Sequence, residues 1–117
     1  MSDEVQSFDT GLREIDLDLH RPLPVNTPWG SFALYVVGGR VHAVQSFCPH
    51  LDGPLFQGTQ SGDTITCPWH QWRFSLVSGA RVDEGALLNG GKPRLRVCSV
   101  SESAQGTLVL SRPGSHS

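Results

Sequence analysis

A chain of 117 residues has room for one domain with a true core, and not for two ordinary ones. Its 13 Gly and 8 Pro exceed what a helical bundle uses and point to a loop-rich β protein. The formal charge is −2 and the nine basic residues are scattered, so the electrostatic footprint of a nucleic-acid binder is missing, and no apolar run is long enough to cross a bilayer. The opening residues, Met1 to Gln6, are acidic and polar, unlike a signal peptide. Three cysteines make an odd number, and two of them sit beside Pro and His, which argues against a disulfide scaffold. The expectation is a soluble, cytoplasmic protein with no nucleic-acid or membrane partner.

Along the chain, Ile15-Asp16-Leu17-Asp18-Leu19-His20 alternates apolar and polar residues and predicts a half-buried strand. Arg21-Pro22-Leu23-Pro24 predicts a loop. Ser31 to Val37 and Arg40 to Val44 are rich in β-formers and flank Gly38-Gly39, the signature of a hairpin whose turn needs positive φ. Further short strands are expected at Thr64–Thr66, Arg73–Ser75, Leu95–Val100 and Thr107–Leu110, with a turn at Gln105-Gly106. Arg112 to Ser117 lacks an apolar pattern and reads as a mobile tail. The whole reads as a single all-β domain.

Two short segments hold the chemistry. Cys48-Pro49-His50 and Cys67-Pro68-Trp69-His70 each follow a predicted strand, and sixteen residues separate His50 from Cys67. Each supplies one thiol and one imidazole, and the turn-rich Leu51 to Gly58 between them allows both loops to reach one point. Structural zinc also accepts two Cys and two His, but its ligands usually come as C-x₂₋₄-C and H-x₃₋₅-H pairs. A mixed pair in each loop, one of them with a single intervening residue, fits that pattern poorly.

The C-x-H…C-x-x-H spacing resembles the Rieske [2Fe–2S] family, and all four ligand positions of its pattern are matched. The resemblance runs from about Ser31 to Ser101 and includes Trp72-Arg73-Phe74 and Gly79. It implies an all-β fold of small antiparallel sheets, with a cluster-binding subdomain over about residues 46–83 set on a β base. It further implies that Cys48 and Cys67 bind one iron and His50 and His70 the other. Two neutral imidazoles in place of thiolates leave the oxidised cluster formally neutral and the reduced one singly negative. Rieske centres are therefore easier to reduce, at roughly −150 to +300 mV against about −400 mV for plant-type ferredoxins.

High-potential members of the family join their cluster loops by a disulfide, at positions that here are Gly53 and Trp69. They also place Ser and Tyr hydroxyls against the cluster, where this chain has Trp72 and Phe74. Hydrogen bonds to cluster sulfur raise the potential, so the resemblance implies a low-potential centre. One departure is Gln71, where many relatives have Gly; a positive φ there would strain the backbone.

The remaining residues read more plainly. Cys98, in an apolar strand, is expected to be a buried and inert thiol. His20, His42 and His116 read as surface or packing residues, and Asp52 as a solvated loop acid. Leu51, Pro54 and Leu55 are expected to form an apolar docking rim, and Trp69 and Trp72 to shield the cluster or to pack.

The chain has no Gly-rich nucleotide motif, and beyond the four ligand positions only His20, His42 and His116 remain, with no catalytic domain expected to hold them around a mononuclear iron. The resemblance therefore implies an electron-transfer protein rather than an enzyme. Its expected partners are an NAD(P)H-dependent flavoprotein reductase and a terminal oxygenase, such as an aromatic-ring-hydroxylating dioxygenase. A small subunit paired with the large subunit of an assimilatory nitrite reductase is the alternative. A metal-stabilised interaction module without redox turnover is a third reading.

Overall fold

The structure, a computed structural model, describes residues 6–18, 21–49, 53–69, 71–83 and 93–113. Among the described residues ten strands follow in chain order: β1 (Ser7–Arg13), β2 (Leu23–Thr27), β3 (Gly30–Val37), β4 (Arg40–Gln45), β5 (Thr59–Ser61), β6 (Thr64–Thr66), β7 (Arg73–Ser75), β8 (Val97–Cys98), β9 (Val100–Glu102) and β10 (Thr107–Ser111). They form three antiparallel sheets, ordered β1-β10-β9, β2-β3-β4-β8 and β5-β6-β7. The all-β expectation is met.

Strand β3 explains the arrangement. Its run Phe32-Ala33-Leu34-Tyr35 is buried without a break, because both faces of the central sheet are covered. Phe32 and Leu34 join Ala43, Cys98, Leu108 and Leu110 in one core, shared with the β1-β10-β9 sheet. Ala33 and Tyr35 join Val44, Leu55, Ile65, Phe74 and Leu76 in a second core, shared with the β5-β6-β7 sheet. One strand thus supplies two layers through its period-two alternation.

The Gly38-Gly39 hairpin forms as expected. Val37 pairs with Arg40, and both glycines have positive φ (56° and 80°), as a two-residue turn of the primed type requires. Strands β6, β7 and β10 also lie where the sequence places them, and Gly106 turns at φ 85°.

Three expectations need correction. The strand expected from Ile15 is replaced by a 3₁₀ turn over Glu14–Asp16, with Ile15 86% exposed. The strand lies earlier, at Ser7–Arg13, where β10 offers a partner; the Arg13 N–H then donates to the Asp16 carboxylate and the chain turns away. Leu19 and His20, the end of the expected strand, lie outside the described residues. The loop expected over Arg21–Pro24 ends two residues early, because Leu23 and Pro24 open β2, which tolerates Pro as the edge of its sheet. The single strand expected over Leu95–Val100 is divided at Ser99, since β8 pairs with β4 and β9 with β10 in a different sheet. Strand β5, polar in sequence, was not anticipated.

Tyr35 is fully buried, and its hydroxyl has no hydrogen-bond partner among the described residues. Burial pushes its ionisation far above the ordinary phenol range, so the group stays neutral. An unsatisfied buried hydroxyl costs about 1–3 kcal/mol. Tyr35→Phe is expected to raise stability by about 1 kcal/mol in urea denaturation; an unchanged or lowered midpoint would show that the hydroxyl is satisfied in solution.

Candidate metal centre

The first motif leaves the end of β4. Ser46, fully buried, fastens this exit: its N–H donates to the Ser31 carbonyl (3.0 Å), its hydroxyl meets that of Ser31 (2.8 Å), and its carbonyl accepts from Phe56 N–H. Cys48 N–H donates to the Gly53 carbonyl at 2.8 Å, and Phe47 bridges Pro54. The loop closes on a 3₁₀ turn over Leu55–Gln57, with Leu55 buried. The second motif leaves β6. Cys67 N–H donates to the Trp72 carbonyl (2.8 Å) and Gln71 N–H to the Cys67 carbonyl (3.0 Å), which folds the segment into a tight turn ahead of β7.

The loops meet at two glycines. A Cβ on Gly58 would lie 1.9 Å from the carbonyl oxygen of Thr66, the residue before Cys67. No side chain fits there, and the close approach of the two backbones depends on it. A Cβ on Gly53 would lie 3.0 Å from the indole of Trp69. At Gly53 and Trp69, the positions that the resemblance matches to a disulfide in high-potential Rieske centres, this chain packs an indole onto a glycine.

Cys48 and Cys67 are 1% and 0% exposed and share one apolar core with Leu55, Ile65, Phe74 and Leu76. No disulfide joins them to each other or to Cys98. Two thiols sealed in an apolar pocket suit a metal centre: thiolates are costly to bury alone, and metal coordination removes that cost. Among the described residues no group of three His, Cys, Asp or Glu is placed to hold a metal ion. The other two residues of the motif, His50 and His70, lie outside the described residues, as do Leu51 and Asp52.

Residues 12–89 match the sequence profile of the Rieske [2Fe-2S] domain. The chain belongs to the Rieske [2Fe–2S] domain family. Its cofactor is therefore a [2Fe–2S] cluster, and the buried cysteine pair fits that group. Among curated relatives, the chain is 33% identical over 90 residues to a 4beta-methylsterol monooxygenase of Methylococcus capsulatus, covering 74% of this chain and 24% of the relative. It is 38% identical over 47 residues to ferredoxin CarAc of Metapseudomonas resinovorans, covering 40% of this chain and 44% of that one. The first two curated relatives extend well beyond the match, which spans 10% and 24% of their lengths.

Two solved structures share the Rieske fold. A Sphingomonas yanoikuyae B1 ferredoxin superposes with a TM-score of 0.72 at 20% identity, covering 95% of this chain and 100% of that one. A chain from a complex of reduced oxygenase and oxidised ferredoxin in carbazole 1,9a-dioxygenase gives 0.74 at 24% identity, over 90% and 92%.

The surface beside the Rieske loops differs from the expected rim. Leu55 is fully buried and Pro54 half-buried, so neither of them builds an exposed apolar edge. Trp69 and Phe47 are 56% and 43% exposed instead. Phe47, which the sequence reading passed over, stands edge-on to Phe56 at 5.8 Å and directly precedes Cys48. That adjacency was its one available signal. Trp69 is thus a surface residue, whereas Trp72 is half-buried and packs against the cysteine core.

Gln71 has a φ of 62°, so the positive φ that would strain a non-glycine residue there is present. A non-glycine residue there costs about 1–2 kcal/mol, offset in part by glycine's extra unfolded-state entropy of about 0.5–1 kcal/mol. Gln71→Gly is expected to raise the unfolding temperature by a gain of up to about 1 kcal/mol, with the visible spectrum unchanged. A lower melting temperature would show that the Gln71 side chain contributes more than its backbone costs.

Cys98 is buried at 2% exposure, and burial pushes its thiol up to about 12 from 9.0, with Arg96 pulling weakly the other way. Its folded-state preference for the neutral form stabilises the protein fully below pH 9 and is lost as pH climbs toward 12. At pH 8 an alkylating reagent should spare Cys98 in the folded protein and modify it after unfolding, read by mass spectrometry. Rapid labelling of the folded chain at Cys98 would contradict this.

Proposed function

We propose that this Rieske protein is a one-electron carrier. It takes electrons singly from an NAD(P)H-dependent flavoprotein reductase and delivers them to a terminal oxygenase, such as an aromatic-ring-hydroxylating dioxygenase. The carrying observation is the juxtaposition of two buried thiols with exposed aromatics one and two positions away: Cys48 and Cys67 lie in the core, while Phe47 and Trp69 face outward. A redox group just below an aromatic surface suits transfer to a docked protein. The fold likeness to a ferredoxin over nearly the whole chain supports the same reading, as does the similarity to ferredoxin CarAc.

In this reading Cys48 and Cys67 hold one iron and His50 and His70 the other, and residues 46–83 form the cluster-binding unit on the β base. When bound, the cluster supplies reversible one-electron chemistry. The chain's own residues do the rest. Leu55, Ile65, Phe74 and Leu76 exclude water from the thiol side. Ser46 anchors the first loop to β3, and Gly58 lets the second approach it. Trp72 and Phe74 offer no hydroxyl to sulfur, which places the potential toward the lower end of the Rieske range.

Anaerobically prepared protein is expected to bleach reversibly on dithionite titration and to be reduced by NAD(P)H through a flavoprotein reductase. Cys48→Ser should lose the visible absorption and loosen the first loop, because cluster binding is coupled to folding there. Zinc in place of iron, with no bleaching, would overturn electron transfer, and a normal cluster in Cys48→Ser would overturn the ligand assignment. Tight co-purification with a large sirohaem subunit would replace the oxygenase partner by a nitrite reductase.

A further inference from the structure

Arg81 is a charged residue in the interior, 9% exposed, and its position is unusual. The segment after β7 turns at Gly79 (φ 80°) and runs back antiparallel to it. Ser75 N–H donates to the Ala80 carbonyl, Val82 N–H to the Arg73 carbonyl, and Arg81 bridges Phe74. Trp72 and Phe74, two residues apart, lie on one face, and residues opposite one another in such a pair point to the same side. The Arg81 guanidinium accordingly lies over the Trp72 ring, 3.5 Å from its centroid. Asp83 completes the unit, accepting from Arg81 Nε at 2.8 Å and from Arg73 N–H at 3.0 Å.

This unit touches the second Rieske loop directly. Trp72 packs against the core that holds Cys48 and Cys67, and its carbonyl accepts from Cys67 N–H. The cation lies against the indole, and the carboxylate accepts from the backbone N–H of the next residue, Arg73. Stability alone does not explain the pair, since an interior ion pair is often no better than an apolar substitute. An ordered charge in a low-dielectric interior, however, acts strongly on any charge that changes nearby. In a Rieske protein the changing charge is the extra electron of the reduced state.

We propose that Arg81, stacked on Trp72 and oriented by Asp83, is a positioning residue that raises the reduction potential of the centre held by the two loops. It offsets in part the missing hydroxyl donors at Trp72 and Phe74. The inference rests on the electron-carrier reading above and adds to it a determinant outside the ligand motifs. Removing the cation takes a positive charge away from the indole beside the loop and disfavours reduction. Neutralising Asp83 leaves the cation uncompensated and favours it, while Asn still offers the Arg73 N–H an acceptor. The two single substitutions therefore have opposite signs.

The test is a redox titration of the wild type, Arg81→Gln, Asp83→Asn and the double variant, followed by visible and electron paramagnetic resonance spectra, with melting temperatures measured in parallel. The midpoint should fall in Arg81→Gln, rise in Asp83→Asn and lie between the two in the double variant, while both single variants lose thermal stability. Arg81→Lys, which keeps the charge and loses the planar stack, should restore most of the midpoint if Arg81→Gln assembles poorly. Midpoints that move in the same direction, or do not move while the cluster spectrum is intact, would reduce the pair to a structural brace and overturn the proposal. A wild-type protein with no reducible cluster would instead overturn the electron-carrier reading itself, so the two failures are distinguishable.

Discussion

Burial of β3 on both faces is the constraint on which the rest of the molecule rests. Phe32 and Leu34 tie the central sheet to the β1-β10-β9 layer, and Ala33 and Tyr35 tie it to the sheet that precedes and follows the second cysteine. A strand of this kind cannot slip by one residue without exchanging the contents of two cores at once. The loops that leave β4 and β6 therefore start from fixed points. Ser46 reinforces the first of these points with hydrogen bonds to Ser31 at the start of β3.

From those fixed points the two Rieske loops are drawn together by the absence of side chains. Gly58 lets the first loop pass against the Thr66 carbonyl, and Gly53 lets the Trp69 indole settle on its backbone. Where related high-potential centres use a covalent bridge, this chain uses van der Waals contact. The charged brace of Arg81 and Asp83 then backs the second loop from the side of β7, through the face of Trp72. Thiol burial, loop contact and the brace form successive shells around one locus, and each depends on the strand pairing outside it.

Much of this was legible in the residues themselves. The Gly38-Gly39 hairpin, β6, β7 and the turn at Gly106 follow from local propensity and from the positive φ that glycine permits, and both are short-range properties. The family was legible because Cys48, His50, Cys67 and His70 stand at the spacing of its motif in linear order. The strain at Gln71 was also foreseeable, since the backbone conformation at that point belongs to the loop and not to the residue.

What the sequence by itself determined is thus the all-β class, the metal-binding chemistry and the approximate limits of the two loops. Tertiary structure alone decided where a strand forms, as when the less regular Ser7–Arg13 pairs with β10 while the alternating segment at Ile15 forms a 3₁₀ turn that leaves Ile15 in solvent. It alone decided that Leu55 is core and Phe47 surface, and that Ser99 divides one apolar run between two sheets. It also brought Arg81 onto Trp72, nine positions away in the chain. The physical reason is common to all of these. Burial and pairing depend on which partner is available across the sheet or between layers, and a linear pattern contains no record of that partner.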